Sequence, residues 1–347
     1  MPEMNRQWLL AARPRGLVKQ SDFEFVETPL PEPQDGQVLV LNLYLSFDPA
    51  MRGWMEDRPS YVPPVQIGEP MRAGSVGQVV ATRHPDLKEG DFVQGTFGWQ
   101  DYALAAPGLA NPVPPGIPLT WVMGVVGITG LTAYFGLLDL GEPKPGETVV
   151  VSGAAGATGS VAGQIAKLHD CRVVGIAGGA EKCAWLTEAA GFDAAIDYKG
   201  ERVSQKLREL CPNGIDVYFD NVGGPILDDC LGQIAQNARV VLCGGISGYN
   251  ESEPPPGPRN LMNLVIQRAR MQGFIVLDYL PRFGEGVGKL LEWVRAGRIV
   301  HREDIQHGLE NAPETFLRLF AGKNLGKQLL KIAEAPLGNE PRATEGS

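Results

Sequence analysis

The pattern of apolar and polar positions changes character once along the chain. Over roughly the first 125 residues, short apolar or alternating runs are separated by glycine and proline turns. Val38–Leu45 and Gly77–Thr82 read as strands, and Gly90–Gly95 as a turn leading into another. Helical periodicity is weak there, so the front of the chain is expected to be mostly β. From Leu119 onward apolar strands alternate with amphipathic helices. A helix is predicted over Gly127–Leu140, ended by Pro143-Lys144-Pro145-Gly146. Strands follow at Thr148–Ser152, Arg172–Ala177, Ala194–Tyr198, Ile215–Asp220, Arg239–Gly244 and Gln272–Leu277. The helices between and after them are Ser160–His169, Glu181–Ala190, Arg202–Leu210, Ile226–Ile234 and Gly286–Ala296. Strand and helix in alternation imply an α/β fold, a doubly wound parallel sheet. Glu251–Pro258 is proline-rich and cannot join that sheet.

The apolar strand Thr148–Ser152 breaks into Gly153-Ala154-Ala155-Gly156-Ala157-Thr158-Gly159, and a helix follows at once. Such a strand, glycine loop and helix expose backbone N–H groups to a dinucleotide pyrophosphate, as in Rossmann-type domains. The spacing GxxGxxG is not the usual GxGxxG, and glycine-rich turns also serve structural ends; the following βα units favour a dinucleotide site. The loop lies mid-chain, so a different domain precedes it. An NAD site carries an acidic residue about 20 residues beyond the loop. Here the second strand ends in Ile176-Ala177-Gly178-Gly179-Ala180, and Lys182 stands just beyond. A lysine there suits a 2′-phosphate, so NADP(H) is expected over NAD(H).

The chain has 347 residues and a formal net charge of −9 with no compensating basic stripe, so neither nucleic acid nor an anionic membrane surface is an expected partner. No apolar run reaches the roughly 18–20 residues that span a bilayer, and Met1–Arg13 lacks a signal-peptide core; a cytoplasmic location is the expectation. All five cysteines (Cys171, Cys183, Cys211, Cys230 and Cys243) lie in the second half without CxxC pairing. They read as free thiols. The front of the chain has no cysteine and only His84, so the three protein ligands of a catalytic zinc cannot be assembled there, and no metal is expected. Ser152 and Ser247 lack a paired base, which speaks against a hydrolase.

Six motifs carry a resemblance. They are Ser46-Phe47-Asp48-Pro49-Ala50-Met51-Arg52-Gly53, Gly98-Trp99-Gln100-Asp101-Tyr102 and Gly130-Leu131-Thr132-Ala133-Tyr134, then Tyr218–Gly224, Gln272–Ile275 and Gly322–Lys327. The chain resembles the zinc-independent medium-chain dehydrogenase/reductases, and within them the prostaglandin, alkenal and bacterial curcumin reductases, from about Asn5 to Ile332. The resemblance implies a GroES-like, mostly β catalytic domain over 1–125, completed by 313–335. It implies a Rossmann NADP-binding domain over 126–312, with 336–347 a flexible tail. NADP contacts would fall on Gly156, Ala157, Thr158, Gly159, Lys182, Tyr198, Asn221, Cys243, Gly244 and on to Tyr249, Phe274, Ile275, Val276 and Asn324. Lys182 and Tyr198 would hold the 2′-phosphate.

The substrate pocket would involve Ala50, Arg52, Tyr61 and Tyr249. Ala50 departs from the family pattern, which has a tyrosine there, and Tyr61 is expected to share that tyrosine's role. The implied reaction is reduction of the C=C bond of an enone or enal, with hydride added at the β-carbon. Tyr249 would stabilise the enolate oxygen, with Tyr61 as a second catalytic candidate. Two other readings stay open: a quinone oxidoreductase, and an NADPH-binding sensor without turnover. Homodimerisation is implied by the likeness alone.

Overall fold

The computed structural model describes residues 4–253 and 255–341. Its contacts divide the chain into two units, Met1–Met123 with Glu303–Ser347, and Gly124–Arg302. The first unit holds β1 (Met4–Leu10), β2 (Phe23–Pro29), β3 (Val38–Ser46), β4 (Ser75–Thr82), β5 (Phe92–Gly95), β6 (Tyr102–Ala105) and β7 (Asn111–Pro112). The second holds β8 (Thr148–Ser152), β9 (Arg172–Ala177), β10 (Ala194–Asp197), β11 (Ile215–Asp220), β12 (Ile234–Leu242) and β13 (Arg270–Gly273). The chain then supplies β14 (Glu303–His307) and β15 (Lys327–Lys331) to the first unit.

In the first unit β1 and β2 form an antiparallel pair, with the rings of Trp8 and Phe25 4.9 Å apart. The other strands run in the order β14-β15-β3-β4-β5-β7, and β6 also pairs with β3. Every residue of β3 is buried, as a strand covered on both faces requires. Phe23, Phe47 and Phe316 surround Trp99 at ring separations of 5.0, 5.1 and 5.8 Å. The buried ammonium of Lys327 donates to the Phe47 carbonyl at 3.1 Å and pairs with Asp48. This joins two of the sequence motifs, one from each end of the chain. Beyond β15, Leu337 exchanges two backbone bonds with the Gln78 side chain, and the Tyr44 hydroxyl donates to Glu340. Residues 342–347 of the expected tail lie outside the described residues.

The second unit is a six-stranded parallel sheet in the order β10-β9-β8-β11-β12-β13. That is the doubly wound order, which reverses direction between β8 and β11. The fold is thus a Rossmann domain and a separate mostly β domain. β9 and β11 span the predicted residues, whereas β12 begins five residues earlier than predicted and Phe274 onward is not strand. A 3₁₀ turn, Val276–Arg282, takes over the apolar run expected to extend β13.

Candidate functional site

The carboxyl-terminal ends of β8 and β11 meet at the reversal point, where open α/β sheets bind ligands. Asp220, the last residue of β11, is fully buried. One of its oxygens accepts from the Ser152 hydroxyl and the Tyr218 phenol, both at 2.7 Å, and from the N–H groups of Val222 and Gly223 at 3.0 Å. Burial pushes the Tyr218 phenol far above its ordinary range, which keeps it a donor. The Asn221 amide donates to the Ser152 carbonyl at 2.7 Å, and its backbone N–H to the Ser152 hydroxyl at 2.9 Å. The last residue of β8 and the loop after β11 are therefore one hydrogen-bonded unit. Neither Asp220 nor Ser152 was marked as functional by sequence reasoning. The signal available was a hydroxyl and a carboxylate ending two strands, each directly before a glycine-rich loop.

From that anchor the loop Gly153–Gly156 turns into the helix Ala157–Leu168. Gly153 has φ +57°, a left-handed conformation that favours glycine. A Cβ on Gly159 would lie 2.5 Å from the Gly153 carbonyl, so the helix can pass this close to the strand end only without a side chain. The helix N-cap is Gly156, with no side-chain cap. Gly156, Ala157 and Thr158 are half-buried, and the N–H groups of a first helical turn have no intrahelical acceptor. A bare, glycine-cradled helix start of this kind fits a pyrophosphate.

After β12, the N–H groups of Cys243 and Gly244 donate to the Asp220 carbonyl at 2.8 and 3.1 Å. Burial, reinforced by the charge of Asp220, pushes the Cys243 thiol up to about 12, so it stays protonated. The loop then folds back: the Ser247 hydroxyl donates to the Val222 carbonyl at 2.7 Å, and the Tyr249 hydroxyl accepts from the Gly245 N–H at 3.1 Å. Accepting that bond polarises the hydroxyl toward giving its own proton. The structure thus brings Gly153–Gly159, Asn221, Cys243, Gly244 and Tyr249 to one sheet edge. Phe274 follows β13 on the same edge. Its ring is spent on packing: a Cβ on Gly136 would meet it at 2.4 Å. What the stretch Phe274–Val276 offers a ligand is its backbone.

At the end of β9 the helix Ala180–Glu188 begins, with Lys182 in its first turn. The Tyr198 ring, 44% exposed, covers Gly178, where a Cβ would sit 2.9 Å from it. The nearby Asp197 turns one oxygen onto the N–H groups of Gly179 (2.8 Å) and Lys199 (3.0 Å), and those bonds hold its carboxyl below the ordinary range. The Asp197 carboxylate is thus tied to backbone donors, and Lys182 and Lys199 stand at the same rim as Glu181 and Glu201, the latter accepting from the Asp197 N–H at 2.9 Å.

The remaining candidates lie in the first unit. Ala50 is the N-cap of the short helix Met51–Trp54. Arg52, 2% exposed, spends its guanidinium on Glu56 (2.9 Å) and on the carbonyls of Pro14 and Gly16, which ties the stretch 52–56 to the stretch 14–16. Tyr61 lies on the loop 57–64, which lines a surface depression of about 420 Å³. Its hydroxyl accepts from the Trp54 indole at 3.0 Å, and burial raises the phenol above its ordinary range. Asn324 sits in the turn before β15, its amide donating to the Gly326 carbonyl at 3.0 Å. Among the described residues no three His, Cys, Asp or Glu side chains gather as metal ligands.

Two family models match: an N-terminal domain of oxidoreductase over residues 6–113, and a zinc-binding dehydrogenase domain over 157–293. The chain is 46% identical over 341 residues to the NADPH-dependent curcumin reductase of Escherichia coli, covering 95% of this chain and 98% of that one. It is 39% identical over 333 residues to prostaglandin reductase 1 of Bos taurus, covering 94% and 98%. Among solved structures it matches CurA from Vibrio vulnificus in complex with NADPH, with a TM-score of 0.91 and 43% identity, over 95% of this chain and 99% of that one.

Proposed function

The chain belongs to the medium-chain dehydrogenase/reductase family, in the branch of prostaglandin and curcumin reductases, and on that premise we propose that it reduces the C=C bond of α,β-unsaturated ketones and aldehydes with NADPH. The observation that carries the reading is the sheet edge itself: an uncapped helix start behind Gly153–Gly159, and a polarised tyrosine hydroxyl five residues past Gly244. Bound NADPH would supply the hydride. The residues of this chain do the rest. The first-turn N–H groups of Ala157–Gly159 hold the pyrophosphate, and Lys182 and Tyr198 take the 2′-phosphate. Cys243, Gly244 and the backbone of Phe274–Val276 border the reactive end. Asn221 is fixed by Ser152 and steadies the loop between them.

As hydride reaches the β-carbon, charge gathers on the carbonyl oxygen, and a neutral hydroxyl placed there stabilises the enolate. Tyr249 has that role, and Tyr61 with Ala50 shapes the acceptor side. An enolate spreads its charge over carbon and oxygen, so hydroxyl donors suffice. The α-carbon then takes a proton from water or a tyrosine. The Cys243 thiol, held neutral, is a poor nucleophile toward an electrophilic enone. A homodimer in solution is part of the same reading. β13 is an edge strand, and beside it Met262, Val265 and Ile266 are 63%, 66% and 59% exposed.

Light scattering should return twice the chain mass; a monomer at micromolar concentration would contradict the dimer. Lys182→Ala should raise KM for NADPH by about tenfold, the worth of one charge-assisted bond, and leave NADH unchanged. An equal effect on both cofactors removes Lys182 from the 2′-phosphate site. NADPH oxidation across enones, enals and a benzoquinone should be fastest with the enones and enals. Tyr249→Phe should cut kcat/KM on them by roughly 10²-fold. Full activity of that variant, or a preference for the quinone, would overturn the assignment.

A further inference from the structure

The first unit carries a cation that its own fold does not neutralise. Arg72, half-buried, lies with its guanidinium 5.8 Å above the centre of the Trp54 ring. It gives one hydrogen bond, from Nη1 to the Pro63 carbonyl at 2.7 Å. Among the described residues it reaches no carboxylate. Asp48 is engaged with Lys327 and Ser46, and Glu56 with Arg52 and Arg58. Asp57 is exposed on the loop and, among the described residues, forms no ion pair.

Trp54 is placed to support this group. It stands four residues after Ala50 on one continuous helical stretch, so the two side chains share a face. The indole is partly buried, packed on one side against the core around Met51, Met55 and Trp99. The indole N–H is fixed by the Tyr61 hydroxyl, and Arg72 is fixed by Pro63, so loop 57–64 holds both. A guanidinium within cation–π range of an aromatic ring keeps N–H donors for a carboxylate, and here Nη1 alone is engaged. The result is a flat apolar face with a positive edge, beside the tyrosine assigned to the acceptor side.

We propose that Arg72, braced by Trp54, is a specificity-determining residue that binds a carboxylate carried on the substrate away from its double bond. The proposal rests on the double-bond reductase reading, which places Tyr61 near the acceptor. It assigns the preferred substrates to enones bearing an aryl or alkyl carboxylate rather than neutral ones.

Two measurements separate the proposal from that reading. Calorimetric binding of 4-phenylbutanoate and of its neutral amide, to the protein saturated with NADP+, does not depend on turnover. The carboxylate should bind about tenfold more tightly than the amide. Arg72→Gln should abolish the difference, and Arg72→Lys, which keeps the charge without the fork, should retain part of it. In turnover, 4-phenylbut-3-en-2-one carrying a para-carboxylate should exceed the neutral enone in kcat/KM, through KM. Arg72→Gln should lose that advantage while reducing the neutral enone as before. Equal binding of acid and amide by the native protein overturns the proposal, as does a carboxylate preference that survives Arg72→Gln. Failure to reduce either enone would overturn the reductase reading instead, with the calorimetry still deciding Arg72.

Discussion

The organisation of the second unit depends on one buried carboxylate. Asp220 gathers the Ser152 hydroxyl, the Tyr218 phenol and two successive backbone N–H groups. Each buried donor left without it would cost about 1–3 kcal/mol. The network spans the reversal point of the sheet, between β8 and β11. It fixes the end of β8, from which the glycine loop departs, and the start of the loop that carries Asn221. Through its backbone carbonyl the same residue also sets the departure of Cys243 and Gly244.

From this follows a division of labour between side chain and backbone. The side chains at the centre of the edge are occupied: Ser152 and Asn221 with each other, Phe274 with Gly136. What faces a ligand there is main chain, with glycines where close approach demands them. In the proposed function, side-chain chemistry is left to the rims, to Lys182 and Tyr198 on one side and Tyr249 on the other. That arrangement suits a cofactor that brings its own reactivity and needs positioning and electrostatics from the protein.

Much of the fold was legible because parallel strands covered on both faces are continuous apolar runs. β9 and β11 could be read to the residue, and the glycine loop marked the site. The order of strands, and hence the reversal point, could not be read, because pairing is a long-range property. The end of β13 misled for a physical reason: Phe274–Leu277 looks like strand, but the Phe274 ring fills the space above Gly136 and the backbone tightens into a 3₁₀ turn. The β1–β2 pair was not legible because β2 carries Glu24, Glu27 and Pro29 and buries only Phe23 of its seven residues, so little apolar alternation shows. In the site, the resemblance pointed to Arg52, and the structure shows that guanidinium committed to Glu56 and two carbonyls. Trp54 and Arg72 carry no sequence signature, since only the fold of loop 57–64 brings them together.

The proposed reaction delivers hydride to the β-carbon of an enone rather than to its carbonyl carbon. It is tested most directly by NMR of the product formed from 4-phenylbut-3-en-2-one and NADPH deuterated at the transferable C4 position. The account predicts a saturated ketone with deuterium on the β-carbon and a solvent-derived hydrogen on the α-carbon. Deuterium on the carbinol carbon of an allylic alcohol, or no transfer of label, would contradict it.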